Sequence, residues 1–196
     1  MAVQNEERDQ LTGLRKGKWV FERLENILGH NGQIVLILID IDHFKAFNDG
    51  QGHQRGDEKI VEIARGIEKL SGANSLVFRW GGDEFGVILY ESSLEKAREI
   101  GEVIRANQKL IFVTPDQKEI ATLTLSLGIA HFPTHVTNAE NLARAADLAL
   151  LKAKDGGRLP DGTSYVGRNR VMAIGDFWDE FPEQSARFLR NGFTGN

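Results

Sequence analysis

The 196-residue chain contains no cysteine, which excludes disulfide staples and thiolate metal sites and is compatible with a reducing compartment. It also lacks any run of Lys or Arg resembling the basic stripe of a phosphate-backbone binder. With 24 basic against 28 acidic residues the net charge is -4, and long nucleic acid is not an expected partner. No apolar run is long either. The longest, Ile34 to Ile39, is far short of the ~20 residues a membrane helix needs, and residues 1 to 10 are too polar for a secretory signal. There is no internal repeat and no low-complexity tract. These absences predict a cytoplasmic protein without direct membrane contact. What is present, 41% hydrophobic residues, suffices for the core of one domain.

Periodicity supplies the elements. Val20, Phe21, Leu24, Ile27 and Leu28 predict an amphipathic helix over 17–28 that ends near Gly29. "QIVLILID" is a β-branched apolar run that predicts a buried strand ending at Asp40. Ile60, Ile63, Ala64, Ile67 and Leu70 predict a helix over 56–70. "SLVFRW" and "EFGVILY" flank Gly81-Gly82, the spacing of a β-hairpin with a tight turn whose glycines supply positive φ. A helix capped by Ser92 and running to about Lys109, a strand "EIATLTLSLGIAHF", and a helix over 139–154 follow. The order strand, helix, strand, strand, helix, strand is that of the ferredoxin-like split βαβ, an α+β fold whose central sheet is antiparallel with helices packed on it.

That topology bears on the acids. In a split βαβ the first and third strands are antiparallel neighbours, so Asp40 and Asp42 at the end of one would meet Asp83 and Glu84 at the start of the other. Converging carboxylates repel, and a bound cation relieves them. Oxygen-only ligands suit a hard ion such as Mg²⁺, which completes its shell with substrate phosphates. The pattern alone is equally compatible with solvated loop acids and a glycine-rich hairpin.

Six ordered stretches settle what the chain resembles: "DQLTGL" at 9–14, "DIDHFKAFND" at 40–49, "GHQRGD" at 52–57, "GGDEF" at 81–85, "TLSLGIA" at 124–130 and "ADLALLKAKDGGR" at 146–158. The chain resembles the GGDEF-domain diguanylate cyclases, which condense two GTP into cyclic di-GMP on a palm related to nucleotide polymerases. The resemblance implies that Asp40, the Ile41 carbonyl, Asp83 and Glu84 bind Mg²⁺ or Mn²⁺, with Asp83 and Glu84 catalytic. It further implies that Asn48 and Asp57 read guanine beside His53, that Phe44 and Lys45 contact phosphate, and that Gly81 and Gly82 let the nucleotide approach. Lys154 and Arg158 would clamp phosphates, with Arg168 the alternative to Arg158. Two domains, each holding one GTP, would face each other as a homodimer, and an upstream sensory domain would attach before Asp9.

The chain also departs from the family. Gly72 and Ser75 stand where many members carry the Arg-x-x-Asp site of product inhibition, so feedback should be weak. "RKGKWVF" follows "LTGL" where Asn-Arg is usual, Leu151 replaces a frequent Tyr, and an insertion at about 159–166 precedes "GRNRV". The expected divisions are a linker or frayed helix at 1–8, a catalytic domain at 9–171 and an extension at 172–196. Phe177, Trp178, Phe181, Phe188 and Leu189 of that extension are expected to pack on the domain. Competing readings are a silent domain that senses GTP or a cyclic dinucleotide, and a cyclase making a mixed cyclic dinucleotide. The metal and guanine positions speak against the first, and Asp57 against the second.

Overall fold

The computed structural model describes residues 7–30, 32–108, 110–113, 120–158 and 164–180. A short strand, Arg15–Lys16 (β1), leads into helices Gly17–Phe21 (α1) and Leu24–His30 (α2). The single helix expected here is broken: Arg23 N–H bonds Val20 O three residues back, a tightened turn that ends α1 before the apolar stripe resumes. Strand Ile34–Asp42 (β2) runs two residues past the expected end. It is followed by Phe44–Gln51 (α3), a helix the periodicity did not announce, and His53–Ser71 (α4). Then come strands Ser75–Arg79 (β3) and Glu84–Tyr90 (β4), helix Leu94–Asn107 (α5), and strands Leu110–Val113 (β5) and Ile120–Phe132 (β6). Ser93, not Ser92, caps α5, its hydroxyl accepting from Lys96 N–H. Helix Ala139–Asp155 (α6) begins at Asn138, whose side chain accepts from Asn141 N–H.

The sheet order is β1-β3-β4-β2-β6-β5, and β2 lies antiparallel between β4 and β6. The central four strands therefore have the split βαβ arrangement. All nine residues of β2 are buried because both faces of the sheet are covered. Val35, Ile37, Ile39 and Ile41 pack with Ile60, Ile63 and Ile67 of α4 and with Ala97 and Ile104 of α5. Ile34, Leu36 and Leu38 pack with Leu142, Ala145, Ala146 and Ala149 of α6 and with Leu24 and Leu28 of α2. Burying each such side chain contributes about 1.5–3 kcal/mol, which overrides local propensity in a strand this uniformly apolar.

After α6 the chain forms a two-stranded ribbon, Gly157–Arg158 (β7) with Ser164–Tyr165 (β8), then strand Val171–Ala173 (β9) parallel to β6 and a 3₁₀ segment Ile174–Glu180. β9 spans the division expected at residue 171, and Phe177 beyond it is buried. Phe181, Phe188 and Leu189 lie outside the described residues, as do residues 1–6 of the expected linker. Among the described residues no helix is long and apolar enough to cross a membrane.

Candidate active site

The far end of β2 meets the β3–β4 hairpin at one sheet rim. Asp40 is in register with Glu84 on β4 and Ser126 on β6, and Ile41 N–H donates to Asp83 O at 3.2 Å. Residues some forty positions apart thus share one edge. Burial raises the Asp40 carboxyl above its usual range, Lys154 pulls it back down, and the fields of Asp83 and Asp42 add to the rise. Glu84 is raised too, by burial first and then by Asp40 and Asp83. The ammonium of Lys154 sits 2.9 Å from Asp40 Oδ2. Burial alone would lower its pKa, but that bond and the fields of Asp40, Glu84 and Asp83 reverse the sign and raise it. The acids form a like-charge group that a cation stabilises, and in the protein alone Lys154 supplies that charge.

Among the described residues no three acidic or histidine side chains converge into a ready-made cation cage. Such a cage is not what Mg²⁺ requires, since it binds through one or two carboxylates plus waters and phosphates. Asp40, Glu84 and a carbonyl fit that donor set.

The hairpin differs from the expected tight turn. Trp80–Asp83 form a four-residue connection, and neither Gly81 nor Gly82 has positive φ. A Cβ at 81 would stand 2.7 Å from Glu84 Oε2, so a side chain there would turn the Glu84 carboxylate aside. Arg79 braces the loop. Its Nε donates to Gly81 O at 3.1 Å, its Nη2 to Gly82 O at 2.5 Å, and its Nη1 to Asp9 Oδ1 at 2.9 Å. Asp9 also accepts from the backbone and hydroxyl of Thr12, so "DQLTGL" is a fastening for the hairpin.

On the other side of Asp40, His43 adopts φ 62 and starts α3 without a side-chain cap, which leaves the first-turn N–H groups of Phe44 and Lys45 directed away from the helix body. The Phe44 ring is buried and stacks on Phe47, while Lys45 is exposed. Helices α3 and α4 approach so closely at Gly56 that a Cβ there would collide with Asn48 Oδ1. That oxygen is buried with no hydrogen-bond partner. Asp57 and His53 are exposed on the first turns of α4. Gly72 and Ser75 are tied to each other by Ser75 Oγ donating to Gly72 O at 2.6 Å, and neither presents a charge. Two sizeable clefts lie elsewhere, one of about 810 Å³ walled by Arg15, Trp19 and Arg23, the other of about 570 Å³ beside Phe21 and Trp80. Neither is lined by Asp40, Asp83 or Asn48, and it is chemistry that marks the acidic rim out.

Residues 6–159 match the family profile described as diguanylate cyclase, GGDEF domain. The chain belongs to the GGDEF family. Over 155 residues it is 35% identical to the probable diguanylate cyclase DgcC of Escherichia coli K12, covering 77% of this chain and 41% of that protein. It is 32% identical over 168 residues to the diguanylate cyclase VdcA of Vibrio cholerae, covering 85% and 46%. It thus spans less than half the length of these relatives. The GGDEF domain of DgcB from Caulobacter crescentus, solved in complex with c-di-GMP, is 28% identical with a TM-score of 0.70, covering 86% of this chain and 96% of that one.

Within this GGDEF domain the chain beyond α6 turns back onto the end of that helix. Arg158 belongs to the β7–β8 ribbon, its backbone opposite Ser164. The segment that comes back to Lys154 is Gly167–Asn169. A Cβ on Gly167 would collide with Lys154 O, and Arg168 N–H donates to Ala153 O at 2.6 Å. The backbone of Arg168, the alternative to Arg158, thus lies against the last turn of α6.

Proposed function

We propose that this GGDEF domain condenses two GTP molecules into cyclic di-GMP, releasing two pyrophosphates, at the interface of two facing copies. The observation that carries the reading is the shared rim: Asp40 opposite Glu84, with Asp83 bonded to the next residue of β2. Asp40, the Ile41 carbonyl, Asp83 and Glu84 would hold Mg²⁺ or Mn²⁺, which when bound supplies charge neutralisation at the phosphates. Asp83, supported by Glu84, accepts the proton of the 3′-hydroxyl. That oxygen bonds to the α-phosphorus of the facing GTP, and the bond to the β-phosphate oxygen breaks. Repeating the step with roles exchanged closes the ring. Asn48 and Asp57 read guanine, the buried unpartnered Asn48 Oδ1 being an acceptor that a base N–H can satisfy. His53 flanks the base, the amides of Phe44 and Lys45 meet phosphate oxygens, and Lys154 with Arg158 or Arg168 supplies cations. Gly81 and Gly82 leave room for the nucleotide. GTP as substrate places the domain in the cytoplasm, and an upstream regulatory domain would control how often two copies meet.

The test is purified protein with Mg²⁺ and GTP, ATP or both, with products identified by mass. Cyclic di-GMP from GTP alone, lost in Asp83→Ala, is expected. Binding without turnover at high protein concentration would make it a sensor, and a hybrid product would make it a cyclase of mixed dinucleotides.

A further inference from the structure

Asp42, two residues beyond Asp40, is almost wholly buried, and its oxygens are taken up inside the protein. Thr124 Oγ1 donates to Oδ2 at 2.6 Å, Ser126 Oγ donates to Oδ1 at 2.8 Å, and the backbone N–H of Asn169 donates to Oδ2 at 2.9 Å. What it holds is unusual. Arg168 (φ 71) and Asn169 (φ 47) are consecutive left-handed residues, a conformation that non-glycine residues keep only when their surroundings enforce it. The enforcing bonds are Arg168 N–H to Ala153 O, Asn169 N–H to Asp42, Arg105 Nη1 to Asn169 Oδ1 at 2.8 Å, and Leu127 N–H to Arg170 O at 2.8 Å. The Arg168 side chain is exposed and has no ion pair among the described residues, so its backbone alone fixes where it stands.

We propose that Asp42 is a positioning residue: by gripping the Asn169 amide it pins the returning strand and sets Arg168 beside Lys154 to receive substrate phosphate. This rests on the cyclase reading for the identity of the phosphates. The chain between Lys154 and Gly167 is long enough to let Arg168 wander. A bond from strand β2, which also carries Asp40, couples the position of the cation to that of the acid.

The experiment is calorimetric binding of inorganic tripolyphosphate with Mg²⁺ to the whole chain, a probe that ignores guanine and turnover. Asp42→Asn, which cannot accept from all three donors, and Arg168→Gln should each weaken binding about tenfold. The double variant should be no more than about twofold weaker than Arg168→Gln, because both remove one contact. Multiplying losses, or a folded Asp42→Asn that binds like the parent, overturns the proposal. If Asp42→Asn does not fold, NMR of the parent decides. Tripolyphosphate should shift the Arg168 Nε–H signal and slow exchange of the Asn169 amide together, and one without the other overturns it. A chain that passes these tests yet makes no cyclic di-GMP sinks the cyclase reading alone. A working cyclase with multiplying losses sinks only the inference.

Discussion

Glu84 shows how the site trades stability for chemistry. Burial and the neighbouring acids raise its carboxyl above the unfolded value, so at neutral pH the folded state holds an unfavourable charge. Its contribution is therefore present at low pH and declines as pH rises through the folded pKa. In metal-free protein Glu84→Gln should raise the unfolding free energy at pH 7 by at most about 1 kcal/mol, the half-exposed position being screened, while turnover falls about a hundredfold or more. Thermal melts and a product assay on one preparation check both. His135 has the opposite sign. Burial, His131 and Arg98 lower it from 6.5 to about 4, and its Nδ1 accepts from His131 N–H at 3.1 Å, which requires an unprotonated nitrogen. Between those values the unfolded chain binds the extra proton, so stability is full above pH 6.5 and falls as pH drops toward 4. Melting temperature against pH should show this decline, and His135→Gln should flatten it.

At the scale of elements, two close approaches set the site. Gly56 lets α4 lie against Asn48 on α3. Gly56→Ala should leave the melting temperature nearly unchanged, since alanine favours the helix by about 1 kcal/mol. GTP binding should weaken about tenfold while tripolyphosphate binding stays as it was, because only the guanine acceptor moves. Gly128 on β6 faces the backbone of α6 at Ala146 and Leu150, where nothing flexible can yield. Gly128→Ala should cost about 3 kcal/mol of stability, read by urea denaturation. All of α3 and the first turn of α4 lie in "DIDHFKAFNDGQGHQRGD", yet α3 was not evident from periodicity. It is only eight residues long and carries two buried positions, Phe44 and Phe47, too few to repeat.

For the whole molecule, one domain holds one substrate in the proposed reaction, so specific activity should climb steeply with protein concentration and level off as pairs form. A constant specific activity over a hundredfold dilution would contradict facing copies. Product inhibition should be weak, because Gly72 and Ser75 close a turn on themselves and offer neither cation nor carboxylate to a dinucleotide. Initial rates with added cyclic di-GMP measure that directly.

The long periodic elements were legible in the sequence, because β2, β4, β6, α4 and α6 are fixed by buried faces whose spacing is written in the residues themselves. So were the strand order and the meeting of Asp40 with Asp83 and Glu84, since a split βαβ admits few pairings. Tertiary structure alone decided that Gly81 and Gly82 keep negative or extended φ, that Arg79 bolts the hairpin to Asp9, and that Lys154 neutralises Asp40. It also decided that residues 167–169 return to the end of α6, with the Asn169 amide bonded to Asp42. Periodicity records which face of one element is apolar. It does not record hydrogen bonds between residues such as Asp42 and Asn169, 127 positions apart, whose partnership exists only after the sheet has closed around them.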